Sequence, residues 1–505
     1  MAQNIKKITS FLFLLRVFKM SLSVVVLIVS AKYFGVNLDR DIWILASTFL
    51  LTTSAAIWGP INETFRTKFI FIREEEGEEK AILKTSSLVG FVIVATTIVC
   101  ILICYFSKDI AVFMINKNSS KESISLFISL LLLLLPTLFI NQLTALGISI
   151  LNAYNVYYIP EIFGVFSGIF NILSIVLLTS SIGIYSLLIS QYVSVIILLF
   201  AVLYYIRKKN LYIWRYCFPV KLHSMKPFLL YSLPFFFPYV AGQCNILTEK
   251  WIASQLGAGN VSSLDYARQF TALLQGVLSS VLTTVMIPML SKAYIKKEKM
   301  IFESILNENV QVCFIIASLA LPLMLGGAVP LSHFFFERGT ISSDSVSQIT
   351  ELMSLYSLSF LGVILYLLFG LSLLASNKAK QYAFWGVIAQ IIILILNLSL
   401  YHLFSIYIFP FSLGATHLLS AVIMLFMLKL EHKWKLCVKI IIYIVIIFLL
   451  SAVLFAFNSI VKIDNNVVQL FFNILLLLLL FPIILRGFGI NIFNYLSIHK
   501  SKNKL

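Results

Sequence analysis

Four basic side chains lie within segments that are otherwise apolar, namely Arg16, Lys19, Lys250 and Arg268. A charge at the centre of a lipid bilayer costs roughly 2.5–3.5 kcal/mol even on a mild insertion scale, so such residues usually face a cavity or a partner. Cations in a cleft could hold an anionic group through charge-assisted hydrogen bonds. We therefore take these four residues as the candidate substrate-binding residues.

The spacing of these cations limits what each can contact. Arg16 and Lys19 are three residues apart and share one face of a helix, where they bind an anion or extend to the membrane interface. Glu249 and Lys250 are adjacent, so their side chains point about 100° apart on a helix and each needs a partner on another element. Arg268 is such a partner for Glu249, or else a cation that faces a cavity. A purely structural ion pair remains the alternative for Lys250 and Arg268.

Acidic residues near the ends of apolar segments are candidates for gating contacts or structural ion pairs. Asp41 and Asp265 each stand at the start of a predicted helix. Glu161 follows Pro160 at another helix start, where a carboxylate suits the positive end of the helix dipole. The candidate gating or structural residues are Asp41, Glu249, Asp265, Glu337 and Arg338.

The sequence contains no constellation that is typical of an enzyme. It has no glycine-rich phosphate-binding loop that ends in lysine, and its 6 histidines are dispersed. The 6 cysteines are also scattered and show neither disulfide nor metal-ligand spacing. We therefore predict no catalytic residues, no metal and no cofactor, and we do not expect an enzyme.

Membrane helices must position the candidate residues, because the composition excludes a soluble globular protein. Of 505 residues, 60% are hydrophobic and 12% are charged, and the mean hydropathy is +0.98. Soluble domains contain about 25% charged residues. At roughly 20 residues per span, the apolar share of the chain fills about fourteen helices. The apolar runs are continuous rather than alternating, which excludes a transmembrane barrel. The expected fold is an all-α polytopic membrane protein.

Runs of about 20 apolar residues predict the individual spans. Lys and Arg accumulate in cytoplasmic loops, and most of the 38 basic residues fall on the cytoplasmic side when both termini are placed inside. The net charge of +17 therefore reflects topology and does not indicate a nucleic-acid partner. The charged run over 73–80 is predicted to be a solvated cytoplasmic loop. The predicted spans are 10–34, 42–60, 81–106, 124–151, 158–180, 183–206, 226–254, 265–290, 308–332, 350–376, 381–404, 407–429, 438–457 and 467–486.

An internal repeat divides the predicted helices into two sets of six. The string AKYFG at 31–35 corresponds to ASQLG at 253–257, and IAVFMINKN from 110 corresponds to LSHFFFERG from 331, each at an offset of about 222 residues. Because each set contains an even number of helices, the two halves have the same orientation in the membrane. We predict an N-terminal six-helix lobe over 1–222 and a pseudosymmetric C-terminal six-helix lobe over 223–430. Two additional helices and a cytoplasmic tail follow over 431–505.

Several short strings carry a resemblance to a known family. They are FERG at 336–339, NILTEK followed by AS at 245–254, DYAR at 265–268, IPMLSK at 287–292 and ILNAY at 150–154. These strings resemble the MurJ/MviN lipid II flippase family, within the multidrug, oligosaccharidyl-lipid and polysaccharide (MOP) exporter superfamily. The similarity covers nearly the first 430 residues. It implies a flippase fold with fourteen helices, in which helices 13 and 14 form a groove for a polyprenyl chain.

The chain departs from the pattern of that family where the cargo is bound. Met20 and Val26 stand where the family has arginines in helix 1, and helix 2, IWILASTFLLTTSAA, contains no arginine. In helix 8 the Tyr-Ala pair is followed by Arg268 and Gln269, where the family usually has Asp-Arg. An O-antigen, capsule or exopolysaccharide unit is therefore as good a candidate cargo as lipid II.

The resulting hypothesis is a flippase of the bacterial inner membrane that moves a polyprenyl-diphosphate-linked saccharide outward by alternating access. The expected partners are the lipid-linked saccharide diphosphate, membrane lipids and polysaccharide-assembly proteins, with no nucleic acid and a monomeric state. Two alternatives stay open. One is a cation-coupled multidrug exporter, and the other is a membrane enzyme of polysaccharide assembly.

Overall fold

Helices make up nearly all of the described backbone in the computed structural model. The structure describes residues 2–116, 119–213, 217–337, 339–463 and 465–489. A π-helix at Leu282–Met286 and a 3-10 helix at Ser405–Tyr407 connect neighbouring α-helices. The α-helices are α1 (Ala2–Phe34), α2 (Leu38–Glu76), α3 (Glu78–Tyr105), α4 (Ser107–Met114), α5 (Lys121–Leu134), α6 (Pro136–Ala153), α7 (Ile159–Ile182), α8 (Tyr185–Lys208), α9 (Leu222–Gln255), α10 (Asn260–Val281), α11 (Ile287–Ile295), α12 (Lys299–Leu325), α13 (Ala328–Phe336), α14 (Ser343–Ala375), α15 (Ala379–Phe404), α16 (Ile408–Met427), α17 (Lys433–Ile460) and α18 (Asn466–Gly487).

Many of these helices are long enough to cross a bilayer. Within the described residues, 10 segments combine sufficient length with high hydropathy, and one of them, Ala379–Met427, contains both α15 and α16. Helices α1, α9 and α10, with 33, 34 and 22 residues, also reach the roughly 20 residues that a span requires. The predicted all-α polytopic fold is confirmed, and a total of about fourteen spans agrees with these segments.

The order of the helices repeats along the chain. The α5–α6 segment runs from Lys121 to Ala153 and α14 runs from Ser343 to Ala375, so both ends recur about 222 residues later. The short helix α4 follows α3 as the short helix α13 follows α12. Pro136, which has no backbone N–H, separates α5 from α6, whereas α14 is continuous. This recurrence supports two six-helix sets, with α17 and α18 added after them.

The chain packs as two compact units, Met1–Ser262 and Ser263–Leu505. Helix α9 belongs to the first unit, where it packs along α2. Tyr239 of α9 lies directly over Gly59 of α2, where a Cβ would collide with the tyrosine ring. The boundary between the packed units thus follows α9, whereas the predicted lobes 1–222 and 223–430 divide before it. The predicted lobes are defined by the internal sequence repeat and not by packing, so the division into lobes stays a prediction.

The charged run over 73–80 is helical except at Gly77, rather than the predicted loop. Helix α2 continues to Glu76, and only Gly77, at φ 94°, separates it from α3. The extension is amphipathic, with Phe65, Phe69 and Ile72 buried on one face. A search for continuous apolar runs does not detect such a helix, because the charged residues on its exposed face lower the mean hydropathy.

The two C-terminal helices are fixed to the second unit by close backbone and amide contacts. Gly326, which follows α12, lies against the backbone of Ser451 in α17 and leaves no room for a Cβ. The Asn458 side chain donates a hydrogen bond to the Gly326 carbonyl (3.0 Å). Gln469 of α18 donates in turn to Asn458 Oδ1 (2.6 Å). These contacts join α12, α17 and α18 in one polar chain.

Candidate binding and gating site

Both candidate cations of α1 contact one carboxylate on α7. Arg16 Nε lies 2.9 Å from Glu161 Oε1, and Lys19 Nζ lies 3.8 Å from Glu161 Oε2. The side chains of Arg16 and Lys19 are 48% and 45% exposed, against 15% for Glu161. These three residues, which we call the Glu161 cluster, therefore combine accessible cations with a largely covered carboxylate.

Close packing of α1 on α7 places this cluster. A Cβ at Gly164 would lie 2.8 Å from Lys19 Cε, and a Cβ at Gly168, one turn further along α7, would lie 3.2 Å from Leu22 Cβ. Small residues at such spacing let membrane helices approach closely. Glu161 lies in the first turn of α7, where the helix dipole also favours a carboxylate. The sequence indicates the dipole role of Glu161 but not its pairing with the cations of α1.

A second cluster surrounds Asp41 in the first turns of α2. The Asp41 side chain is 1% exposed and accepts hydrogen bonds from the Gly259 N–H (2.6 Å), the Ser262 N–H (2.7 Å) and the Ser262 hydroxyl. Lys250 of α9 adds an electrostatic attraction to this carboxylate. Asp41, Gly259 and Ser262 together form what we call the Asp41 latch. The latch ties the start of α2 to the turn between α9 and α10.

The end of α9 is also fixed to the segment around the end of α4. Trp251 Nε1 donates a hydrogen bond to the Phe113 carbonyl (2.8 Å), and the two rings stack with centroids 5.5 Å apart. The Ser254 hydroxyl donates to the Met114 carbonyl (2.7 Å). The start of α2, the end of α9 and the segment around the end of α4 are therefore joined at one end of the first unit. The predicted orientation places this end on the periplasmic side.

The two remaining candidate cations belong to different units. Lys250 is 5% exposed and its neighbour Glu249 is 8% exposed, both in the first unit. Asp265 and Arg268 lie on α10 in the second unit and are half-buried, and Arg268 interacts electrostatically with His417 of α16. Lys250 contributes an electrostatic attraction to the Asp41 carboxylate, and the structural ion pair also stays a prediction for this residue. Binding of cargo by Lys250 or Arg268 stays a prediction.

The candidate gating residue Glu337 connects two helices of the second unit. Its carboxylate lies 2.9 Å from His333 Nδ1 on α13 and accepts a hydrogen bond from Asn466 Nδ2 on α18 (2.8 Å). Arg338 lies outside the described residues. Glu337 therefore has a structural contact, and its role in gating stays a prediction.

One buried carboxylate lies outside the set that the sequence predicts. Glu303 is 7% exposed and belongs to α12, which begins at Lys299 rather than at 308. It accepts hydrogen bonds from the backbone N–H groups of Glu431 and His432, just before α17. Such N–H groups at a helix start have no partner within the helix. Only an amphipathic pattern, in which Leu306 shares the buried face, could reveal this cap in the sequence.

Comparisons with known proteins find relatives along most of the chain. A family model described as "Lipid II flippase MurJ" matches residues 30–477. The lipid II flippase MurJ of Thermosipho africanus is 24% identical over 461 residues, which cover 84% of this chain and 91% of that protein. The lipid II flippase MurJ of Burkholderia cenocepacia is 26% identical over 142 residues, and the alignment spans 28% of each chain. Alignments with two further curated relatives span 63% and 31% of those proteins.

Solved structures share the fold. A lipid II flippase MurJ in an inward closed conformation matches with a TM-score of 0.79 at 21% identity, covering 94% of this chain and 99% of that chain. A multidrug resistance MATE family transporter of the MOP superfamily, in an inward-facing conformation, matches with a TM-score of 0.67 at 11% identity, covering 83% and 94%. These likenesses show that the chain shares the helical fold of both structures.

Proposed function

The chain belongs to the lipid II flippase MurJ family, and on that premise we propose that it translocates a polyprenyl-diphosphate-linked saccharide across the bacterial inner membrane. The observation that carries the proposal is the family match over residues 30–477, which runs from the end of α1 into α18. Transport proceeds by alternating access, in which the binding residues face first the cytoplasm and then the periplasm. The chain acts as a transporter and not as an enzyme.

The diphosphate is the part of the cargo that the basic residues recognise. Arg16, Lys19, Lys250 and Arg268 can each donate charge-assisted hydrogen bonds to phosphate oxygens. The saccharide remains beside the diphosphate in the polar interior while the polyprenyl chain stays in lipid, next to α17 and α18. Lipid II is one cargo of this chemistry, and an O-antigen, capsule or exopolysaccharide unit is another.

The Glu161 cluster can bind and release a diphosphate by exchange. Because Arg16 Nε already lies 2.9 Å from the Glu161 carboxylate, a phosphate oxygen must compete with that carboxylate for the guanidinium. The exposed cations can turn toward the incoming diphosphate, which carries more negative charge than one carboxylate. Arg16 and Lys19 pair with Glu161 again when the cargo leaves. This competition would keep the cargo from being held too tightly for transport.

The Asp41 latch serves as the gate on the periplasmic side. Asp41 joins α2 to Gly259 and Ser262, so release of cargo past this end requires the latch to open. Lys250 adds its positive charge to the closed latch. Opening of the latch therefore separates Lys250 from the Asp41 carboxylate and also opens a path for the cargo.

The test is flipping in proteoliposomes that contain the purified protein and a labelled lipid-linked saccharide. Loss of one charge-assisted hydrogen bond costs about 1.5–3 kcal/mol, so Arg16→Gln, Lys250→Gln and Arg268→Gln should each weaken cargo affinity roughly 10- to 100-fold. Lys462→Gln, at an exposed position after α17, serves as the matched control. Unchanged flipping by the variant that combines Lys250→Gln with Arg268→Gln would refute Lys250 and Arg268 as binding residues.

The cargo is identified by a depletion experiment. When the protein is depleted from its cell, the lipid-linked saccharide that it carries should accumulate on the cytoplasmic face. Lipid II and an O-antigen or capsule precursor are distinguished by mass. If no polyprenyl-diphosphate-linked saccharide accumulates, the proposal fails and the multidrug-exporter alternative gains support.

A further inference from the structure

A neutral polar cavity of about 330 Å³ lies within the first unit, between α2, α5, α6 and α8. Four amide side chains are among its lining residues, and we call it the amide cavity. Three of the four residues fall within predicted spans, where polar side chains are costly and usually serve a function. The four amides are those of Asn62, Asn141, Gln142 and Gln191.

Two of these amides hold each other in place. Asn62 Nδ2 donates a hydrogen bond to Gln142 Oε1 (3.0 Å), and Gln142 Nε2 donates one to Asn62 Oδ1 (2.9 Å). An amide has two N–H donors and two acceptor lone pairs, so each residue keeps one donor and one acceptor site. Gln142 is 2% exposed, and the pair therefore has a fixed position in the wall of the amide cavity.

The other two amides have unused hydrogen-bonding capacity. Asn141 and Gln191 are half-buried, and neither side chain forms a hydrogen bond with another residue that the structure describes. The half-buried hydroxyl of Ser54, which also lines the amide cavity, has no partner among those residues either. All of these side chains both donate and accept hydrogen bonds. A ligand with neighbouring hydroxyl groups matches them, because each hydroxyl also donates and accepts.

The rest of the lining favours a neutral ring over an ion. No charged residue is among the described residues that line the amide cavity, so an ion would enter it without a counter-charge, which is costly at membrane depth. A small-molecule site typically combines apolar walls with a few polar groups, and apolar side chains can pack against the C–H face of a sugar ring. The volume equals that of roughly eleven water molecules at about 30 Å³ each, which is enough for one such ring. The leucines of the lining are Leu50, Leu51, Leu134 and Leu138.

We propose that the amide cavity binds one sugar ring of the cargo saccharide through hydrogen bonds from its four amides. The inference rests on the proposed function, because the saccharide reaches this cavity as part of the lipid-linked cargo. Recognition is then divided between two kinds of group, since the basic residues bind the diphosphate and the neutral amides bind the sugar. None of the four candidate cations is among the described residues that line the amide cavity, so the two contributions to cargo affinity can be changed separately.

Probes that differ only in the sugar test this division. The purified full-length protein in lipid nanodiscs is titrated with polyprenyl diphosphate, and with the same lipid diphosphate that carries N-acetylglucosamine or galactose. Two added hydrogen bonds between neutral groups strengthen binding about 10-fold. We therefore expect at least one sugar-linked probe to bind about 10-fold more tightly than the bare diphosphate.

Near-isosteric variants assign that gain to the amide cavity. Asn141→Leu and Gln191→Met each remove one amide at similar volume and should raise the Kd of the sugar-linked probe about 2- to 10-fold. Ala55→Leu removes no polar group but fills part of the cavity, and it should act in the same direction. All three variants should leave the Kd of the bare diphosphate unchanged. Gln381→Leu, at an exposed position of α15, is the matched control and should change neither Kd.

The outcomes separate this inference from the proposed function. If the wild type binds neither sugar-linked probe more tightly than the bare diphosphate, the sugar site is refuted while the diphosphate cargo stands. Variants that weaken the bare and the sugar-linked probes equally would show that the amides act on the fold, and this result would also overturn the inference. A sugar preference that persists unchanged in every folded variant would place the sugar elsewhere. If the wild type binds none of the three probes, the proposed function fails and the sugar site fails with it.

Discussion

Asp41→Asn is the change that isolates the Asp41 latch. The substitution keeps the size of the side chain but replaces one acceptor oxygen with an NH2 group. The carboxylate accepts from the Gly259 N–H at 2.6 Å and the Ser262 N–H at 2.7 Å, one on each oxygen. An amide can accept only one of these bonds, and the other donor then faces a second donor. A net loss of about 1.5–3 kcal/mol is expected for one hydrogen bond to a charged group.

Hydrogen exchange of the turn between α9 and α10 measures this loss locally. If the amides of Gly259 and Ser262 exchange through opening of the latch, a loss of 1.5–3 kcal/mol speeds their exchange roughly 10- to 100-fold. Asp39→Asn is the matched control, because Asp39 lies in the same first turn of α2 but is exposed. Both substitutions remove one negative charge from the same helix end.

The comparison between these two variants decides the reasoning. Faster exchange in the α9–α10 turn for Asp41→Asn alone supports the latch, and unchanged exchange within α17 shows that the effect is local. Ser262→Ala removes only the hydroxyl bond and should speed exchange by a smaller factor. Equal exchange rates for Asp41→Asn and Asp39→Asn would refute the latch, since only the general effect of charge on α2 would remain.

Two further predictions concern the second unit. Gly326→Ala should destabilise the protein by about 1–3 kcal/mol, because the added methyl meets a rigid backbone, whereas Gly276→Ala, in open space within α10, should stabilise it by roughly 0.5–1 kcal/mol; thermal unfolding in detergent would show shifts of opposite sign. Burial, together with the charge of Lys429, lowers the pKa of Lys378 in the loop before α15, so this group binds its proton more weakly in the folded state and its contribution to stability rises with pH through the folded pKa. An amine-selective reagent should therefore modify Lys378 at lower pH than the exposed Lys380, and a common pH profile for both lysines would contradict this.

The membrane architecture could be predicted from the sequence because lipid imposes one dominant constraint. Every backbone polar group in a bilayer must be satisfied within a helix or a closed barrel, so continuous apolar runs determine where the helices lie. The same constraint acts on both halves of the repeat, which is why Lys121–Ala153 and Ser343–Ala375 begin and end at a constant offset. Apolar runs do not predict the amphipathic extension of α2 or the start of α12, because charged residues interrupt the runs at both places.

The partners of the candidate residues could not be predicted, because the pairs are far apart in the chain. Glu161 is 145 residues from Arg16, and Ser262 is 221 residues from Asp41. The pattern of each helix shows which face is polar, but not which neighbour that face meets. Close helix contacts at Gly164 decide that Lys19 lies beside Glu161, and such packing has no signature in hydropathy alone.

Under the proposed function, the burial of the candidate cations predicts an order in which they bind cargo. Arg16 and Lys19 are almost half exposed, so a diphosphate can reach them by exchange with Glu161 and without any unpacking of helices. Lys250 is 5% exposed, so under the same proposal it reaches a ligand only when the helices around it move. A ligand shifts a conformational equilibrium only by the difference between its affinities for the two states. Cargo that contacts Lys250 only in the open state would therefore favour opening, and Lys250→Gln should weaken both this coupling and the overall affinity for cargo.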